Sequence, residues 1–176
     1  MHKIYPIMIV LLFAGCRGTR LMVEPVENVN LERYAGKWYE IAHLPVSFQK
    51  NCSCTTAEYG LTDKGYVRVV NRCKKTTTGD WDEATGKAFP VKNSNNAKLK
   101  VQFFWPFRGD YWILRLDEDY QYAVVGGPSP KYLWILSRTP EMEESLYNRL
   151  VGEMKELGFP VEELIRTEQG CWGEES

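Results

Sequence analysis

Two histidines occur in the chain, His2 and His43, and His2 falls in an N-terminal leader. One imidazole in the mature chain excludes a multi-histidine metal centre and leaves a catalytic triad a single candidate base. No Gly-x-Ser-x-Gly elbow and no glycine-rich phosphate loop is present. Asp117, Glu118 and Asp119 are adjacent carboxylates, but they separate two β-like segments and read as the shaping of a turn. These residues point to binding rather than catalysis, with no cofactor and no metal.

Cysteine is the remaining reactive type. With Cys16 assigned to the N-terminus, Cys52, Cys54, Cys73 and Cys171 remain, an even number in a chain read as exported, and disulfides are the natural outcome. Three pairings exist, and Cys52 with Cys54 is disfavoured by a separation of two. Hairpin counting brings either of them within a residue or two of Cys73, so spacing alone leaves the other two pairings open. A zinc site built from Cys52, Cys54 and Cys73 is the competing reading.

Length suits one domain with a sizeable core: 176 residues, net charge −1, 13% aromatic, with six Trp and ten Tyr. That charge leaves no electrostatic footprint for nucleic acid. Lys3 precedes an apolar run, residues 4–13, too short to span a bilayer, and Ala14 and Gly15 are the small residues before Cys16. Residues 1–15 read as a signal peptide. Phe13, Ala14, Gly15 and Cys16 further resemble the bacterial lipobox, with Phe13 in place of the usual leucine. The resemblance implies acylation at Cys16 and, with Arg17 following, an outer-membrane address on the periplasmic face. Residues 16–28 lack periodicity, contain Pro25 and read as a lipidated tether; 29–176 form the folded domain.

Positioning elements follow. Asn30 is placed to cap a helical turn over residues 31–34, Gly36 swings the chain into a strand, and that strand carries Trp38. Trp38 reads as a plug at the closed end of a barrel; the alternative is an ordinary core Trp beside a C-cap glycine. Strand patterns occupy residues 38–43, 55–61, 66–72, 84–91, 98–104, 111–116, 120–125 and 132–137. Eight short strands with tight turns form a meander whose edges are removed by closure, and eight strands enclose space for one small ligand. Thr139, Pro140 and Glu141 mark a helix start, with Met142, Leu146, Leu150, Met154 and Leu157 on one face that packs outside the barrel. Residues 164–167 return as a short edge strand, and Cys171 pins the tail.

Gly36-x-Trp38 resembles the first signature of the lipocalins. Asp119 and Tyr120 resemble the second, and Arg138 the third, three motifs in order over about a hundred residues. The resemblance covers residues 29–169 and implies an all-β, eight-stranded antiparallel up-and-down barrel with one C-terminal helix outside, and Arg138 lying across the indole of Trp38. A likeness to the apolipoprotein branch of the family implies Cys54 joined to Cys171, which leaves Cys52 for Cys73.

With Trp38 and Arg138 at the closed end, period-two alternation turns Trp134 and Leu136 inward. It does the same for Ala57, Tyr59, Val67, Val69, Asn71, Leu99, Val101 and Phe103, whose neighbours Arg68, Arg72, Lys98, Lys100 and Gln102 prefer water. On the sixth strand Trp112, Leu114 and Leu116 are the more apolar set, while family likeness favours Tyr111 and Ile113. Asn71 would need a ligand head group, a tyrosine hydroxyl or water, since an unpartnered buried amide costs roughly 1–3 kcal/mol. Residues 105–109 would stand at the mouth, where Arg108 meets an anion or stays solvated. The expectation is a membrane-anchored carrier of a fatty acid, lysophospholipid or similar lipid. A pigment or other hydrophobic metabolite, or a filled barrel acting through its surface, are the competitors. Dimerisation fits such barrels, and no residue demands it.

Overall fold

Asn30 sets the start of the ordered barrel. In the computed structural model, which describes residues 23–173, its side-chain oxygen accepts from the backbone N–H of Glu32 (2.9 Å) and Arg33 (3.1 Å), capping α1 (Leu31–Tyr34). Gly36 follows at φ +93°, a conformation glycine adopts without a Cβ penalty, and releases the chain into β1 (Gly36–His43).

Seven antiparallel strands follow in meander: β2 (Cys52–Leu61), β3 (Val67–Lys75), β4 (Trp81–Pro90), β5 (Lys98–Gln102), β6 (Gly109–Leu116), β7 (Tyr122–Gly126) and β8 (Leu133–Ser137). Each pairs with the next, and β1 closes the barrel by pairing β2 along Gly36–Tyr39 and β8 along its later residues. A ninth strand, β9 (Ile165–Arg166), adds to the far half of β1, as the edge-strand expectation had it. Closure gives every central strand a partner on both sides. Strand limits differ from the sequence reading where turns do: the turn after Lys75, closed by Gly79 N–H on Lys75 O at 2.7 Å, is tight enough for β4 to begin at Trp81. Tyr120, read as strand, sits in a turn at φ +61°.

α2 (Glu144–Glu156) lies outside the barrel, its Leu150 and Met154 fully buried against Ile41, Leu114, Val124 and Ile135. It starts later than Thr139 and Pro140 suggested. Thr139 Oγ1 instead donates to Glu141 O (2.7 Å) in a local turn, and the carboxylate of Glu143 caps the helix by accepting from Leu146 N–H (3.0 Å).

The tether expectation also needs correction. Residues 23–29 belong to the barrel: Val23 is buried in the cluster under α2, Val26 N–H donates to Ile113 O (2.9 Å), and Val29 N–H donates to Asn95 O (2.9 Å). Three valines at every third position supply the apolar contact that the missing periodicity concealed. Residues 1–22, with the signal peptide and Cys16, lie outside the described residues.

The cysteines pair Cys52–Cys73 and Cys54–Cys171, with Cα–Cα distances of 5.5 and 6.2 Å. All four are consumed, so the zinc reading falls, and the pairing implied by family likeness is the one observed.

Candidate functional site: a barrel interior with an aromatic floor

The floor is built by the three motifs. The Arg138 guanidinium lies 3.9 Å above the Trp38 ring, and Trp38 is wholly buried. Arg138 donates to the carbonyls of Lys37 (2.9 Å), Arg33 (2.7 Å), Tyr34 (3.3 Å) and Tyr120 (3.2 Å), satisfying groups that the short helix and the turn leave open. Burial pulls its pKa below the ordinary value. The Trp38 indole N–H donates to Tyr34 O at 2.8 Å. Tyr120 accepts from Asn30 N–H and carries Arg33 over its ring at 4.2 Å, while Asp119 stays on the surface at 3.9 Å from Arg33.

Above this floor stand three tyrosines. Tyr111 Oη lies 2.7 Å from both Tyr34 Oη and Tyr59 Oη, so one hydroxyl bridges two. Burial raises the pKa of all three, that of Tyr59 to about 12.

The walls match the expected inner set. Tyr59, Val67, Val69, Leu99, Ile113 and Leu136 belong to the buried interior cluster, with Ala57, Val101, Phe103, Tyr111 and Trp134 packed against it. The sixth-strand ambiguity is settled by a bulge between Ile113 and Arg115. Tyr111 and Ile113 face in, and Trp112 and Leu114 face α2. The extra residue then turns Arg115 outward to Glu153 (2.6 Å) and returns Leu116 to the interior. Neither alternation pattern taken whole was right, because a bulge resets the period.

Two groups of interior residues were missed. Gly86 and Ala88, both buried, stand opposite Val69 and Val67 in the ladder, so that part of the wall carries almost no side chain, and the exposed Ala84 stands opposite Asn71. A Cβ on Gly86 would come within 2.8 Å of the Phe103 ring and of Gln102 O, which places Phe103 against that wall. Small residues at every second position were the readable signal. Glu40 was missed because a buried carboxylate is costly unless paired, although it sits two residues from Trp38. A bulge between Glu40 and Ala42 puts Glu40 and His43 within 2.8 Å of each other. Glu40 also accepts from Thr167 Oγ1 (2.6 Å) and from the side-chain amide of Gln49, whose own oxygen accepts from the Trp134 indole N–H at 3.2 Å. His43 Nδ1 is thereby committed to a network that ties the loop after β1 and the β9 segment to the wall.

Asn71 lies between Ala57 and Ala84, and its Oδ1 is buried with no hydrogen-bond partner among the described residues, as is Thr55 Oγ1. Arg108 does not point into the mouth. Its guanidinium lies 4.1 Å over Phe89, the neighbour of inward-facing Ala88 and so on the outer wall. A groove of about 430 Å3 runs outside the barrel between residues 44–48 and 130–132, with Pro160 and Glu163 at its end.

A closed antiparallel barrel with an indole under a guanidinium, and walls of alternating inward apolar residues, defines a class of single-ligand binding barrels. A lipocalin-like domain model matches residues 29–169. The chain is 43% identical over 170 residues to the outer membrane lipoprotein Blc of Vibrio cholerae, covering 96% of this chain and 99% of that one. It is 34% identical to bovine apolipoprotein D, covering 81% and 78%. Among solved structures, insecticyanin from the tobacco hornworm Manduca sexta superposes with a TM-score of 0.70 over 86% of each chain at 23% identity, a likeness of fold. The chain belongs to the lipocalin family, whose members are generally binding proteins rather than enzymes.

Proposed function

We propose that this chain is an outer-membrane lipoprotein, cut before Cys16 and acylated there. On this reading it faces the periplasm and holds one fatty acid or lysophospholipid in its barrel for storage or transfer within the envelope. The observation that carries the reading is the interior itself: apolar walls, one side built on the small residues Gly86 and Ala88 with Phe103 against it, and the buried oxygen of Asn71, which has no partner among the described residues. A ligand with a long apolar tail and a hydrogen-bonding group meets both needs. Burying about twelve methylenes offers on the order of 10 kcal/mol before the costs of association, enough for micromolar affinity or better. The likeness to the outer membrane lipoprotein of Vibrio cholerae supports the envelope address.

The test is direct. Organic-solvent extraction of the purified protein, followed by native mass spectrometry of the delipidated chain with palmitate and with a lysophospholipid, should show a one-to-one adduct. Asn71→Ala should weaken the adduct while leaving the fold intact. A delipidated chain that takes up neither lipid sinks the reading, and a coloured extract would replace it with a pigment carrier. The mass of the mature chain reports acylation at Cys16 separately.

A further inference from the structure

Four of the largest exposed side chains share one end of the barrel. Phe104, Trp105 and Phe107 are 77%, 86% and 78% exposed, and Phe48 is 69% exposed; Tyr132 is partly so. The antiparallel register puts them together: Trp38 begins β1 at the floor, so the loops after β1, β5 and β7, residues 44–51, 103–108 and 127–132, all emerge at the opposite, open rim. The loops are contiguous. Leu44 N–H donates to Leu133 O, residues 44–48 face Pro130 and Tyr132 across the groove described above, and a Cβ on Gly127 would meet Asp110 at the start of β6.

Water is a poor environment for such a rim, and the interior does not use it. Phe107 N–H closes a turn on Phe104 O (2.9 Å), a turn that carries the three aromatics at 77–86% exposure rather than against Phe103 and the wall. The same three loops contain Lys50, Arg108 and Lys131 and not one Asp or Glu. A fourth loop at this rim, after β3 (residues 76–80), carries Asp80 and no aromatic. Arg108 is laid on Phe89, so the aromatic loops are left flanked by Lys50 and Lys131. Aromatic side chains beside cations are the composition that settles at the headgroup level of a bilayer and is drawn to anionic lipid.

We propose that the open rim docks on an anionic phospholipid surface, mouth towards the bilayer, so that a lipid can pass between membrane and barrel without crossing water. The chain length outside the barrel agrees. Val23 is held on the barrel wall, and the seven residues from Cys16 to residue 22 can span at most about 25 Å. That is roughly the height of an eight-residue strand, so an anchored barrel stays close enough for its rim to touch. Docking does not depend on acylation of Cys16, because the rim carries its own contact.

Vesicles of phosphatidylcholine, with and without phosphatidylglycerol and carrying brominated acyl chains, provide the test. The full mature chain is mixed with them, and its mass reports acylation independently. Tryptophan emission should be quenched, and the difference between the native chain and Trp105→Phe should show Trp105 as a quenched residue. Trp105→Ser with Phe107→Ser should lower vesicle affinity about tenfold or more, and Lys131→Glu on the order of fivefold on the anionic vesicles alone. These positions are exposed, so unchanged near-ultraviolet circular dichroism and an unchanged thermal midpoint certify the fold. Trp105 emission indifferent to brominated lipid would overturn the proposal. So would a concentration-dependent dimer, abolished by the double serine variant, in a chain that ignores vesicles: the rim would then be a contact between copies.

Discussion

The two ends of this barrel are held together by different physics. At the floor almost everything is noncovalent and satisfied: Arg138 serves four carbonyls and one indole, Trp38 is wholly buried, and three tyrosine hydroxyls bond one another. At the rim the loops expose their aromatics, and covalent bonds take over. Cys52–Cys73 ties β2 to β3 near the mouth, and Cys54–Cys171 fastens the tail to the same strand. The difference shows how a barrel stays stable with one end open: packing supplies the energy where water is excluded, and cross-links limit the unfolded state where it is not.

That contrast is open to attack by substitution. Replacing both Cys54 and Cys171 by serine opens a cross-link spanning 117 residues and should cost up to about 5 kcal/mol in the chain-entropy account, read from urea denaturation. Trp38→Ala should cost about 3–5 kcal/mol at the floor. A loss under about 1 kcal/mol there would show that the cross-links, and not the plug, hold the barrel.

Alkaline pH sharpens the same comparison without mutation. Tyr59 ionises at about 12 in the fold and near 10.0 unfolded, so the neutral phenol is the form the native state favours. Its contribution is fully present below pH 10 and is lost as pH rises through 12, a shift worth about 3 kcal/mol. Tyr34 and Tyr111 are raised for the same reason and steepen the loss. Denaturation midpoints between pH 8 and 12 should fall, and Tyr111→Phe should flatten the fall by removing the central phenol. The smallest effect belongs to the rim: Trp105→Ser should change stability by less than about 0.5 kcal/mol, because that side chain is 86% exposed.

Much of the interior was legible beforehand because period-two alternation is strict wherever a strand runs without interruption. Val67, Val69, Leu99 and Val101 needed no coordinates, and neither did the helix stripe through Leu150 and Met154. The failures fall where the period is broken. Bulges at Glu40/Ala42 and Ile113/Arg115 each reset the faces, returning Leu116 to the interior and putting a carboxylate on its wall. Nothing in the local sequence announces a bulge, because it is selected by neighbours that only the fold supplies: Glu153 on α2 waiting for Arg115, Gln49 and Thr167 waiting for Glu40.

The sequence by itself determined the number and spacing of strands and the apolar face of each uninterrupted strand, since those follow from side-chain period and size. The guanidinium over Trp38 was implied by the likeness of three short motifs to a known family. Only the tertiary structure decided that Val23 to Val29 lie on the barrel, that Arg108 rests on Phe89 outside the mouth, and that the aromatics of three separate loops meet on one rim. Those outcomes depend on neighbours brought together by closing the sheet, and no stretch of chain carries information about a partner sixty residues away until the barrel has shut.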